Sequence, residues 1–209
     1  MIDNQCNNCP IRLYNDKGYH FNGIGNAWSG NLIIIPNVDN PSYKKGNIKF
    51  SDYINIINDC VNDANYSNVS GTSEASGADS KPNIPSTGGL EQANVYYVPL
   101  IRCNECISAE ITDDILRRCQ TYLIEDINKY NFKHILLLGS AVERFLHTTI
   151  SSVRNSIIVS KNKRIYYSTY SPLIKYIDKD KYEIFKNDIN RFFNSINNDD
   201  YSRYELVKL

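Results

Sequence analysis

The chain has 209 residues, 42% of them hydrophobic, with 23 basic and 23 acidic side chains that cancel to no formal net charge. That length is enough for one domain with a full core. The charge balance excludes the strongly basic composition usual for nucleic-acid-binding domains, so any DNA contact has to come from a local patch. No apolar run is long enough to cross a bilayer, the longest being 32–36 and 135–139. The first residues lack the charged and apolar regions of a signal peptide. A cytosolic location is therefore expected (the cytoplasm of an infected cell if the chain is viral). In that reducing setting six cysteines point to metal or reactive thiols rather than to disulfides.

Residues 1–30 read as loop, rich in Gly and Asn. Leu32, Ile33, Ile34 and Ile35 form an unbroken apolar run, the pattern of a strand buried on both faces. Pro36, Asn37, Asp39, Asn40 and Pro41 then turn the chain. Ser51 is placed to cap a helix whose Tyr53, Ile56, Ile57, Cys60 and Val61 share one face. Residues 65–93 are rich in Ser and Gly with almost no large apolar side chain. They read as a disordered surface insertion rather than a domain boundary.

A second strand is expected over 95–101. Pro99 cannot donate a ladder hydrogen bond, so pairing there has to be interrupted or at an edge. Thr112, followed by Asp113 and Asp114, starts a helix with Leu116, Cys119, Leu123 and Ile127 on one stripe. A third buried strand over 134–139 runs directly into a short helix from Ser140. Two more strands, 157–159 and 164–169, flank the turn Lys161-Asn162-Lys163. The last helix runs over about 179–196, with Ile184, Phe185, Ile189, Phe192, Phe193 and Ile196 inward. The single domain thus covers 1–197, and 198–209 form a polar, loose tail. Strands that are continuously apolar and alternate with helices predict a three-layer α/β domain with a mainly parallel sheet. Ligands of such folds bind at the carboxyl ends of the strands, here 36–40, 99–102 and 169–172.

The cysteines carry the strongest chemical signal. Two CxxC pairs, Cys6/Cys9 and Cys103/Cys106, suggest a zinc site of four thiolates. A second ligand set is Cys6, Cys9, Cys103 and Cys119, and thiolate tetrads of that kind also hold [4Fe–4S] clusters across long gaps. Cys60, on an apolar helical face, reads as core. Spacing alone does not separate zinc from iron–sulfur. The three histidines, His20, His134 and His147, form no catalytic or metal pattern.

The order of motifs resembles a known family. It runs Cys6-x-x-Cys9-Pro10, Gly23-Ile24-Gly25-Asn26, the strand at 32–35, a Gly46 to Phe50 turn into a helix, the strand at 95–101 leading to Arg102 and Cys103, the helical Cys119, Ile135 through Ala141, and Tyr170-Ser171-Pro172. Except for 65–93, this is similar to the iron–sulfur-containing, thermophile-type (family 4) uracil-DNA glycosylases. The resemblance implies a central, mainly parallel four-stranded sheet flanked by helices, and a [4Fe–4S] cluster on Cys6, Cys9, Cys103 and Cys119, with zinc as the alternative. It also implies hydrolysis of the N-glycosidic bond of a uracil flipped out of the DNA stack.

The catalytic positions differ from the family pattern. Where the family has a water-activating Glu, the turn has Asn37, with Asp39 nearby; an amide can hold a water but is a poor base. Pro99 stands where an Asn would read the uracil edge. Ser171 stands where a His would stabilise the uracil anion, leaving one neutral donor. Phe50 is the aromatic candidate for stacking on the base. Pro172, Leu173 and Lys175 match the loop that wedges into the duplex, and Arg164, with Arg154, Lys161 and Lys163, supplies a basic patch. The expectation is a glycosylase-like monomer with weak or altered activity. Its partner would be DNA, especially single-stranded, together with replication or repair proteins, and no membrane. The alternatives are a non-catalytic DNA- or protein-binding module and a zinc-stabilised structural protein.

Overall fold

A computed structural model describes Cys9 and residues 23–36, 50–69, 94–102 and 112–208. In chain order the elements are β1 (Ile24–Gly25), β2 (Asn31–Ile35), α1 (Phe50–Val69), β3 (Tyr96–Pro99), α2 (Asp113–Lys129), β4 (His134–Leu138), α3 (Ser140–Leu146) and α4 (Ile150–Val153). They continue with β5 (Ser156–Val159), β6 (Ile165–Thr169), a 3-10 turn (Pro172–Tyr176), α5 (Lys179–Asn198) and β7 (Glu205–Lys208).

Among the described residues the strands form one seven-stranded sheet in the order β1-β3-β2-β4-β6-β5-β7. The four central strands, β3, β2, β4 and β6, are mutually parallel. β1 and β5 are antiparallel to their inner neighbours, and β7 runs parallel to β5. Seven strands exceed the four expected. The three additional strands are at the margins of the sheet: β5 matches the strand expected over 157–159, whereas β1 and β7 are short and carry a weak apolar signal.

The unbroken apolar runs follow from burial on both faces. Successive side chains of a strand point to opposite faces. Ile33 and Ile35 of β2 pack with Tyr53 and Ile57 of α1 and with Phe185, Ile189 and Phe192 of α5. Leu32 and Ile34 pack on the other face with Leu116, Cys119, Leu123 and Ile127 of α2 and with Ala141 and Val142 of α3. Helices thus flank the sheet on both sides, giving three layers.

Several local expectations hold. Thr112 caps α2, accepting the Ile115 amide at 3.5 Å. Pro99 ends β3 opposite Ile35, and the Leu100 amide donates to the Ile35 carbonyl at 2.8 Å. The β1 ladder stops at Tyr97, so the proline faces no ladder acceptor on that side. Three expectations are corrected. α1 begins at Phe50, so Ser51 lies within the helix rather than capping it. α1 also continues to Val69, which makes the first residues of the Ser/Gly-rich segment helical; 70–93 lie outside the described residues. The polar tail contributes β7, because the free edge of β5 offers a ladder that needs backbone groups rather than apolar side chains.

Candidate functional site

The carboxyl ends of β2, β4 and β6 converge on one glycine. Gly139 follows β4 with φ 54° and ψ −129°, a conformation that glycine alone adopts readily. Its amide donates to the Thr169 carbonyl of β6 at 2.9 Å. A Cβ added there would lie 2.9 Å from Ser171 Cβ and 3.2 Å from Pro36 Cγ. Pro36 and Ser171 therefore meet over a position where no side chain fits, and together the three residues form the floor of the strand-end site. The sequence signal for Gly139 is a glycine directly after a buried strand, which does not by itself point to a site.

Around this floor the expected residues fall as follows. Ser171 is half-buried and caps the 3-10 turn, its Oγ accepting the Leu173 amide at 3.4 Å. Pro172 is buried, and Leu173 is 6% exposed within the α1/α5 layer. A wedge into DNA has to project from the surface, so Leu173 does not serve as one in this conformation. The exposed apolar residues of this segment are Tyr176 and Ile177, 62% and 60% exposed. Lys175 lies 3.9 Å from Asp59 and over the Tyr182 ring. Phe50 is buried in the core at the first residue of α1. Asn37 and Asp39 lie outside the described residues.

Arg164 does not join this group. It precedes β6, whose five residues at ~3.3 Å each put about 16 Å of strand between it and the carboxyl end that leads to Ser171. It donates to Asn128 at 2.8 Å instead. The basic patch expected from Arg154, Lys161, Lys163 and Arg164 is split in the same way. Arg154 sits at the other end of β5, where it grips Asp188 of α5 at 3.0 and 3.2 Å. Asp188 is buried and also accepts the Thr169 hydroxyl at 2.7 Å and an Arg191 N–H. Sequence reasoning missed this buried network, although Asp188 stands on the inward stripe between Phe185 and Phe192.

Of the four expected cluster ligands, Cys9 and Cys119 are described. Both are buried, 4% and 5% exposed, in the hydrophobic layer formed with α2. Cys60 is buried on the opposite face of the sheet, its Sγ 3.1 Å from the Ile56 carbonyl. Cys6, Cys103 and Cys106 lie outside the described residues, and no group of three or more metal-binding side chains converges among those described. Arg102, the residue before Cys103, is 1% exposed and ion-paired with Asp126. Asp126 stands two turns beyond Cys119 on the same helix. The end of β3 is thereby tied to α2. Two buried thiols, Cys9 and Cys119, thus share the layer that this tie joins to β3.

Fold and site define an α/β protein with a mainly parallel sheet, a strand-end site and a cysteine-bearing layer beside it. No protein-family model matches the sequence, and no curated protein matches it.

Proposed function

We propose that the chain is a uracil-DNA-glycosylase-like protein that holds a [4Fe–4S] cluster on Cys6, Cys9, Cys103 and Cys119. It would engage DNA at the carboxyl ends of its parallel strands, with weak or altered base excision. The observation that carries this reading is the burial of Cys9 and Cys119, far apart in sequence, in one layer beside the tethered end of β3, with Cys60 on the other face. When bound, the cluster would act as a staple joining the N-terminal segment, the end of β3 and α2. The strand-end residues supply little charge stabilisation. Pro99 donates nothing, and Ser171 keeps one neutral hydroxyl proton after accepting from Leu173. Loss of a single well-placed donor typically slows such chemistry about 100- to 1,000-fold.

A second reading, a non-catalytic DNA- or protein-binding module, is favoured by the same poverty of donors and by the burial of Leu173. One preparation separates the readings. Anaerobically purified protein should be brown, absorb near ~400 nm as thiolate-bound iron does, and contain iron and sulfide. Cys119→Ser should lose the iron and Cys106→Ser should keep it. Colourless protein with zinc, lost on Cys106→Ser, would replace the cluster with a paired-CxxC zinc site. The same sample is assayed for uracil release from single-stranded DNA, where no base-flipping cost arises; absence of product assigns the binding-module reading.

A further inference from the structure

We propose that a cavity between α5 and the starting ends of β5 and β7 binds a phosphate ester. Its volume of about 410 Å³ falls in the range of small-molecule sites, about 300–1,000 Å³. Three guanidiniums, those of Arg154, Arg191 and Arg203, line it against one carboxylate, Asp188. The excess of two positive charges matches a phosphate monoester, which carries about −1.5 to −2 at neutral pH.

Two of the guanidiniums, Arg154 and Arg191, are held in place but not used up, and the third, Arg203, is exposed at the rim. Asp188, 4% exposed, is satisfied by the Thr169 hydroxyl, Arg154 Nη1 and Arg191 Nη2. Arg191 Nη1 donates to the Arg203 carbonyl at 3.3 Å, and its guanidinium lies 4.8 Å over the Tyr204 ring. Each guanidinium has five N–H donors. Among the described residues, Nε and Nη2 of Arg154, Nε of Arg191 and the whole Arg203 guanidinium make no hydrogen bond. Arg154 and Arg191 are only 21% and 18% exposed, so these donors are oriented by packing rather than free in solvent. Half-buried, pre-oriented guanidinium forks such as those of Arg154 and Arg191 fit the oxygens of a phosphate in pairs. Four asparagines, Asn155 and Asn194 among them, add neutral donors and acceptors suited to the remainder of a nucleotide. Asp188 contacts Thr169, two residues before Ser171, so the cavity lies on the same end of the sheet as the strand-end site.

The phosphate could belong to a free nucleotide or to a DNA backbone, and calorimetry on the full chain at low salt distinguishes them. The ligands are a deoxynucleoside 5′-monophosphate, its phosphate-free nucleoside and a short single-stranded DNA. The nucleotide should bind and the nucleoside should not. Arg203→Ala should weaken binding about tenfold or more, as loss of a charged hydrogen bond does. Asn194→Asp, at an exposed position on α5, should do the same by adding a negative charge. Binding of the single strand without the mononucleotide, still weakened by both substitutions, assigns the site to a backbone phosphate. Equal binding of nucleoside and nucleotide, no binding of either phosphate ligand, or binding unchanged in both variants overturns the proposal. Neither the cluster nor uracil release enters this test, so its failure and that of the glycosylase reading are separable.

Discussion

Substituting His134 by Gln should remove a pH dependence of stability that one buried ring imposes. His134 opens β4, is 5% exposed, and places Nδ1 3.1 Å from the Tyr167 hydroxyl. Its ring stacks on Tyr201 at an interplanar angle of 10°. Burial, reinforced by the Lys133 charge and opposed by Asp199, lowers its pKa from 6.5 to about 4. The folded chain therefore refuses a proton that the unfolded chain accepts. Stability is complete above 6.5, falls as pH drops from 6.5 to about 4, and stops falling from this source below that. At about 1.4 kcal/mol per pH unit, the loss across the window is on the order of 3 kcal/mol. Asp178, Asp199 and Asp200 are held below the ordinary 3.8 by hydrogen bonds from Lys181, from Tyr201 and Lys133, and from Ser202. Their stabilisation is present above 3.8 and lost below it, outside the histidine window. Gln keeps a hydrogen-bonding amide for Tyr167 and does not titrate. Urea unfolding of both proteins across this range should show the variant gaining about 3 kcal/mol on the wild type as the medium becomes acidic. Parallel stability curves would refute the reasoning.

Two further outcomes test the scaffold of the sites. Arg102→Met leaves Asp126 without its buried partner and should cost about 3 kcal/mol, seen as a fall of roughly 6–12 °C in Tm by calorimetry. The same variant should bind less metal; unchanged Tm and metal content would remove the tie between β3 and α2 from the account. Gly139→Ala imposes a side chain on φ 54° with Ser171 and Pro36 in contact, and should destabilise by about 2 kcal/mol. Denaturant unfolding checks this, and a change below the error of the measurement would show that the strand ends yield.

The central sheet was legible because its strands are buried on both faces, and such burial leaves short unbroken runs like Leu32 to Ile35, rich in β-branched residues and bounded here by Gly30 and Pro36. α2 was legible through its stripe and its Thr112 cap. β1 escaped because two residues carry no period. β7 escaped because its pairing with β5 depends on backbone groups, and its Leu206 and Val207 remain 56% and 40% exposed. At the site, chain order suggested that Arg164 and Lys175 act together, but a strand runs between them and sends them to opposite ends of the sheet. Asp188 was hidden for the converse reason. A charged residue in a helix is normally a surface residue, and only the partners Thr169 of β6, Arg191 of α5 and Arg154 at the end of α4 make its burial affordable.

β7 also limits how far the chain can be shortened. It covers the edge of β5, where Ile157 and Ile158 are buried and every second backbone group faces outward. A chain cut after Tyr204, which keeps Tyr201 and Tyr204 against the core, would exchange a margin carrying Glu205 for an unguarded apolar ladder, the kind of edge on which other chains add strands. Trimmed protein would then accumulate as soluble aggregate, and a drop in yield from a shortened gene would report on adhesion between copies rather than on failure to fold.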